Sequence, residues 1–168
     1  MAAIRALLFD WGDTVMREFP AYDGPMVSWP RVEAMPGALE ALAALSPRYT
    51  CVLASNASVS NAELMGQAVA RAGLRGQFHH LWTSKELGAA KPDPAFFAAI
   101  LAHLGLEPAQ CIMIGNDLRK DIQGARAAGL HTIWLAEAVP EGPVPEADAV
   151  IYSMADLPGA VERLAGGG

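Results

Sequence analysis

The chain has 168 residues, 52% hydrophobic and 18% charged, which is enough for one folded domain with its own core and too few for two. Its net charge is −6 and no Lys/Arg cluster stands out, so no nucleic-acid partner is expected, because phosphate-backbone binding needs concentrated basic charge. The few apolar residues before Asp10 make neither a signal peptide nor a membrane span, and a cytoplasmic location without a membrane partner is the expectation.

Ile4 to Phe9 is an apolar run that reads as a buried strand, and it ends on Asp10, with Asp13 three positions later. A desolvated carboxylate without partners is costly. A strand that stops on one in a Gly-containing loop therefore places it at the carboxyl edge of the sheet, where open α/β sheets bind ligands. Taken alone, Asp10 also reads as an acid capping a turn. Residues 16–35 interleave Pro20, Pro25 and Pro30 with Phe19, Tyr22 and Trp29. That spacing predicts an ordered loop without regular helix, either a flap over a site beside Asp10 or a loop pinned to the core.

Pro36-Gly37 opens a helix to about Leu45, and Thr50 to Ala54 is a second strand ending in Ser55-Asn56. Asn61 to Ala72 places Ala62, Met65, Val69 and Ala72 on one helical face, read as core, before a stop at Gly73. His79 to Ser84 is a third strand, in which adjacent His79 and His80 suit opposite faces better than one metal. After Lys91-Pro92-Asp93-Pro94 a helix turns Phe97, Ile100, Leu101 and Leu104 inward.

Cys111 to Ile114 is a further buried strand, ending in Gly115-Asn116-Asp117, and the next helix carries Ile122, Ala125 and Ala128 to Gly129. His131 to Leu135 is a fifth strand, residues 149–151 a short edge strand, Ala155 to Leu164 a closing helix, and 166–168 a disordered tail. Cys51 and Cys111 lie in strand-like runs and read as buried free thiols, and no CxxC or HExxH pattern exists. Strand and helix alternate throughout. The prediction is one doubly wound, Rossmann-like α/β sandwich of three layers, with a parallel sheet of five or so strands and no cap domain.

In a parallel sheet every strand points its carboxyl end the same way, so Asp10, Ser55-Asn56, Lys91 and Asn116-Asp117 converge on one edge. A carboxylate there can act as a nucleophile, and a lysine beside it keeps it ionised and offsets a phosphate's charge. A serine hydroxyl with adjacent N–H groups can hold phosphate oxygens, and a second acidic site supplies the hard oxygen ligands Mg²⁺ prefers. Singly, each has a plainer reading: Ser55-Asn56 as a helix cap, Lys91 as a surface lysine, Asp121 as a first-turn acid.

Together, Phe9-Asp10-Trp11-Gly12-Asp13-Thr14-Val15, Val52-Leu53-Ala54-Ser55-Asn56, Lys91-Pro92-Asp93-Pro94 and Ile114-Gly115-Asn116-Asp117 through Asp121 resemble the four motifs of the haloacid dehalogenase (HAD) superfamily, in order and over nearly the whole chain. The resemblance implies phosphoryl transfer through an aspartyl-phosphate on Asp10. It implies phosphate or substrate contacts from Trp11, Gly12, Ser55, Asn56 and Lys91, and Mg²⁺ held by Asp10, Gly12, Asn116, Asp117 and Asp121. The family's phosphatases carry a second Asp two residues after the nucleophile, acting as general acid and then general base. Here that position is Gly12, with Asp13 one residue later, and the metal-binding acid of the fourth motif is Asn116, with Asp117 next.

The expectation is a Mg²⁺-dependent phosphatase, slowed by these departures, with Asp13 and Asp117 as substitute acid and metal ligand. Two alternatives stand beside it: a hydrolase of carbon–halogen or phosphonate bonds, and a non-catalytic domain that binds phosphate or a partner. Ser55 follows Asp10 by 45 residues and Lys91 follows Ser55 by 36, which leaves no room for a cap. The site is then open, roofed by the 16–35 loop or by a second subunit of a homo-oligomer, and takes a small phosphorylated metabolite or a phosphoprotein.

Overall fold

A computed structural model describes residues 2–57 and 59–167. Six parallel strands form one sheet: β1 (Ala6–Phe9), β2 (Thr50–Ser55), β3 (His80–Thr83), β4 (Cys111–Gly115), β5 (His131–Leu135) and β6 (Ala149–Ile151). Their spatial order is β3-β2-β1-β4-β5-β6, one strand more than five, because the Ala149–Ile151 run pairs with β5. Around the sheet lie α1 (Ala38–Leu45), α2 (Ala62–Arg71), α3 (Ser84–Leu87), α4 (Pro94–Leu104), α5 (Gly124–Ala127) and α6 (Leu157–Gly166). Among the described residues no helix is long and apolar enough to cross a membrane.

Helices cover both faces, so the strands are continuously apolar, and successive residues feed opposite layers. Leu7 and Phe9 of β1 join Leu53, Ile112 and Ile114 in a core that also contains Leu42, Met65, Val69 and Val161 from α1, α2 and α6. Ala6 and Leu8 face the other way, with Val52, Ala54 and Met113, onto Phe96, Phe97 and Ile100 of α4. Leu104 is only half-buried, whereas Phe96, outside the expected inward stripe, is fully buried. Cys51 and Cys111 are buried and unpaired.

The chain runs outward from β1 to β2 and β3, then crosses back to lay β4 on the other side of β1. That reversal opens a crevice at the carboxyl ends of β1 and β4. No further domain is inserted between β1 and α1, or between β2 and α4, among the described residues. The 16–35 segment forms instead a loop with one 3₁₀ turn, Met26–Ser28. It is pinned by packing of Phe19, Tyr22 and Trp29, with ring centroids 5.3–6.4 Å apart, and by Arg71 of α2, whose Nη1 donates to the carbonyls of Val27 and Trp29.

The helix expected after β4 begins as a wide π turn over Leu118–Gln123, with the Ile122 N–H reaching the Asp117 carbonyl five residues back, before narrowing to α5. At the carboxyl end, Gly166 is the last residue of α6, within the stretch expected to be a disordered tail, and Gly168 lies outside the described residues.

Candidate active site

Asp10 follows the last residue of β1, and its N–H donates to the Ile114 carbonyl of β4, which fixes it at the crevice. A cavity of about 480 Å³ opens there, lined by Asp10, Trp11, Gly12, Glu18, Ser55, Asn56, Lys91, Asn116, Asp117, Lys120 and Asp121, with Phe19, Tyr22, Met26 and Trp29 of the loop on its apolar side. Strand ends far apart in sequence therefore meet, as their parallel direction requires.

Lys91 is the electrostatic centre. Its Nζ donates to Asp10 Oδ1 at 2.8 Å and to Asp121 Oδ1 at 2.7 Å, and the Lys91 side chain is 1% exposed. Burial alone pushes a lysine towards its neutral form, but the charges of Asp10 and Asp121, with their hydrogen bonds, outweigh it and leave the Lys91 pKa above the usual value. Asp121 moves the same way for another reason. Burial, aided by the Asp10 charge, pushes its carboxyl up to about 6 against the opposing pull of Lys91.

Two neighbours hold this group in place. Asn56 accepts from the Lys91 N–H at 2.8 Å through Oδ1 and donates from Nδ2 to the Lys91 carbonyl at 2.9 Å. Both ends of the amide engage the lysine's main chain, so Asn56, expected to contact phosphate, holds Lys91 in place, with a second Nδ2 hydrogen left over in a residue that lines the cavity. The π turn carries Asp121 back towards β4, where its Oδ2 accepts from the Asp117 N–H at 3.1 Å. A Cβ on Gly115 would sit 2.3 Å from that Oδ2, so only glycine leaves room.

Asp121, expected as a metal ligand, thus has both oxygens committed, one to Lys91 and one to backbone. Asp117 caps the π turn by accepting from the Lys120 N–H at 2.8 Å and faces the cavity. Asn116 Oδ1 and Asp10 Oδ2 each lie 3.2 Å from the buried Thr14 hydroxyl. One hydroxyl carries one proton, so the two oxygens converge with a single hydrogen to share. The Gly12 carbonyl accepts no hydrogen bond among the described residues. A carboxylate, an amide oxygen and a carbonyl suit a hard cation that keeps several waters, as Mg²⁺ does. They do not form an all-protein cage: among the described residues no cluster of three or more His, Cys, Asp or Glu side chains is arranged to hold a metal.

Ser55, at the end of β2, is 7% exposed, and its hydroxyl makes no hydrogen bond among the described residues. Neither do the N–H groups of Trp11 and Gly12, which leaves a hydroxyl and two backbone donors at the crevice. The Trp11 ring is fully buried, with Nε1 2.8 Å from Met26 Sδ.

Asp13 corrects the sequence expectation. It sits at φ +54°, in the left-handed region that Asp tolerates better than most residues, and its Oδ1 accepts from the Glu18 N–H at 2.8 Å. Its side chain faces a second cavity of about 330 Å³ with Arg17, Met35 and Glu137, away from the one that holds Lys91. The carboxylate that enters the first cavity next to Gly12 belongs to Glu18. Burial, followed by the charges of Asp13 and Asp10, raises its pKa above the usual range, with Lys120 opposing. No spacing rule points to Glu18, six residues past Gly12 in an irregular loop. The sole hint is the missing side chain at position 12.

A family model described as haloacid dehalogenase-like hydrolase matches residues 10–129. Phosphoserine phosphatase of Thermus thermophilus is 34% identical over 96 residues, which are 56% of this chain and 39% of that enzyme, so the chain spans well under half of that relative's length. An uncharacterized protein from Listeria monocytogenes superposes with a TM-score of 0.84 at 26% identity, covering 96% of this chain and 98% of that one. A putative hydrolase from Bacillus subtilis, solved with bound magnesium, shares the fold with a TM-score of 0.76 at 16% identity over 95% of this chain and 99% of that one.

Proposed function

The chain belongs to the haloacid dehalogenase-like hydrolases, and we propose that it is a Mg²⁺-dependent phosphatase of small phosphomonoesters that works through an aspartyl-phosphate on Asp10. The observation that carries this reading is the Asp10 carboxylate at the floor of an open cavity, held 2.8 Å from the buried Lys91 ammonium with the uncommitted Ser55 hydroxyl on the same rim. A cation this close to the Asp10 carboxylate offsets the charge of an arriving phosphate.

In the proposed reaction the phosphoryl oxygens take hydrogen bonds from Ser55 and from the Trp11 and Gly12 N–H groups. An Asp10 oxygen attacks phosphorus as the ester oxygen departs. Water then attacks the aspartyl-phosphate and returns Asp10. Asp10, the Gly12 carbonyl, Asn116 and Asp117 would hold Mg²⁺, which supplies further neutralisation of the phosphoryl charge. With an uncharged amide at position 116 where a carboxylate would add charge, that affinity is expected to be weak.

The loop of residues 16–35 serves as a fixed wall, with Phe19, Tyr22 and Trp29 facing the non-phosphate part of the substrate. A cavity of this volume favours a small phosphorylated metabolite over a folded phosphoprotein, in keeping with phosphoserine phosphatase among the relatives.

The test is hydrolysis of p-nitrophenyl phosphate with and without Mg²⁺, by the wild-type protein and by Asp10→Asn. Turnover that needs Mg²⁺ and vanishes in Asp10→Asn supports the reading. Equal turnover in Asp10→Asn would remove Asp10 from the reaction, and binding of inorganic phosphate without any turnover would favour a phosphate-binding domain.

A further inference from the structure

We propose that Glu18 is the general acid and base of this site, its carboxylate occupying the space that Gly12 leaves empty. The inference rests on the phosphatase reading and adds to it the group that handles protons. A phosphomonoester that transfers its phosphoryl group to a carboxylate releases an alkoxide, which must be protonated, and the aspartyl-phosphate must then meet a deprotonated water. The cavity holds few groups able to do either.

Lys91 and Asp121 are locked together with Asp10 in buried ion pairs. Asp117 accepts from the Lys120 N–H as a helix cap, and Asp13 faces the other cavity. Glu18 alone among the cavity's carboxylates makes no side-chain hydrogen bond or ion pair among the described residues. Its position is as telling as its freedom. A Cβ built on Gly12 would lie 2.0 Å from Glu18 Oε1, 2.7 Å from Cδ and 2.9 Å from Cγ, so the carboxylate fills the volume that any side chain at position 12 would take. Asp10, Gly12 and Glu18 line the same cavity, so the carboxylate faces the space in which a substrate on Asp10 would sit.

Two features hold the Glu18 main chain beside Gly12: the Asp13 carboxylate, which accepts from the Glu18 N–H, and the pinned aromatic loop that continues from Phe19. Asp13 is then a positioning residue for the group that replaces it.

In the first step an Asp10 oxygen bonds to phosphorus, the bond from phosphorus to the ester oxygen breaks, and that oxygen takes its electron pair together with the proton of the Glu18 carboxyl. In the second step the Glu18 carboxylate removes a proton from water as the water oxygen bonds to phosphorus. The bond from Asp10 to phosphorus breaks, and inorganic phosphate leaves with Glu18 protonated again.

The test compares the wild-type protein, Glu18→Gln and the double variant Gly12→Asp with Glu18→Ala. Each is assayed with p-nitrophenyl phosphate, whose leaving group needs little help from an acid, and with glycerol phosphate, whose leaving group needs much. Glu18→Gln is expected to lower kcat on glycerol phosphate by about 10²–10⁴, with a smaller loss for the aryl ester at the phosphorylation step, and phosphorylated Asp10 should build up and be seen by intact-protein mass spectrometry. The double variant, which moves the carboxylate to position 12, should regain at least about tenfold of that loss. A merely structural role would lower both substrates equally and leave no phosphoenzyme. Turnover by Glu18→Gln within a few-fold of wild type, or a loss restored by raising Mg²⁺ alone, overturns the assignment while the phosphatase reading stands. A wild-type protein inert towards both esters overturns both.

Discussion

Lys91 Nζ donates to Asp121 Oδ1 at 2.7 Å with both side chains 1% exposed, which makes this the most deeply buried ion pair of the described residues. The pair anchors Lys91 independently of Asp10, so chemistry and stability can be separated at this site. Asp10→Asn leaves Lys91 paired with Asp121, and it is expected to lose turnover with little loss of stability. Lys91→Met leaves the Asp10 and Asp121 carboxylates facing each other without a cation, and breaking a buried pair in this way costs about 3–5 kcal/mol. Urea unfolding of the two variants measures the difference. Equal destabilisation would mean that Asp121 does not anchor the lysine.

Asp13 makes the second prediction. Asp13→Asn keeps an oxygen that can accept from the Glu18 N–H and removes only the charge, so turnover should stay within a few-fold of wild type. A catalytic acid or base in this place would lose about 10²–10⁴. Steady-state kinetics on one phosphomonoester decides it, and a loss of that size would return Asp13 to the reaction.

The architecture, and the meeting of Asp10, Ser55 and Lys91 at one cavity, were legible because each follows from a local pattern. Asp10, Ser55 and Lys91 stand at the ends of strands or of the approach to a helix, and parallel pairing brings such ends together whatever the loops do. What escaped depends on tertiary path. Asn56 sits beside Ser55 in sequence, but only the folded chain brings the Lys91 backbone against its amide. Asp121 reads as a first-turn acid until a π turn aims it at Lys91. Asp13 looks like a shifted copy of a missing acid, and one residue at positive φ turns it into the second cavity. Glu18 had no local signal, since its place is set by the aromatic packing of the loop that follows it.

Gly115 makes a prediction that conformational freedom does not, because its φ is not positive. Gly115→Ala would place Cβ 2.3 Å from Asp121 Oδ2 and 2.4 Å from Asp121 Cβ, forcing the π turn away from Lys91. Overpacking of this kind costs about 1–3 kcal/mol, and here it should also lower activity by moving the partner of Lys91. Gly76→Ala is the control, with nothing within 4 Å of the added atom, and should change stability by no more than about 0.5 kcal/mol. Thermal unfolding of both variants, with turnover measured alongside, tests the pairing. Indifference at Gly115 would show that Asp121 has room to shift.

The two thiols predict how the protein responds to alkali. Burial pushes Cys51 from an ordinary 9.0 up to about 12 and Cys111 up to about 11, and both side chains lie in the sheet with no solvent access. The thiolate is the reactive form, so native protein at pH 8 should resist alkylation by iodoacetamide, while protein unfolded in urea takes up two labels. The same shift ties stability to pH. Above pH 9 the unfolded chain gives up its thiol protons and the folded chain keeps them, so the folded state binds more protons and stability falls as pH rises. The slope contributed by each thiol approaches about 1.4 kcal/mol per pH unit between 9.0 and its folded value. Cys51→Ala with Cys111→Ala should start from a lower stability because of the lost packing, yet decline less steeply between pH 9 and pH 10.5. Urea midpoints across that range supply the slope, and equal slopes in the two proteins would mean that the thiols ionise alike in both states.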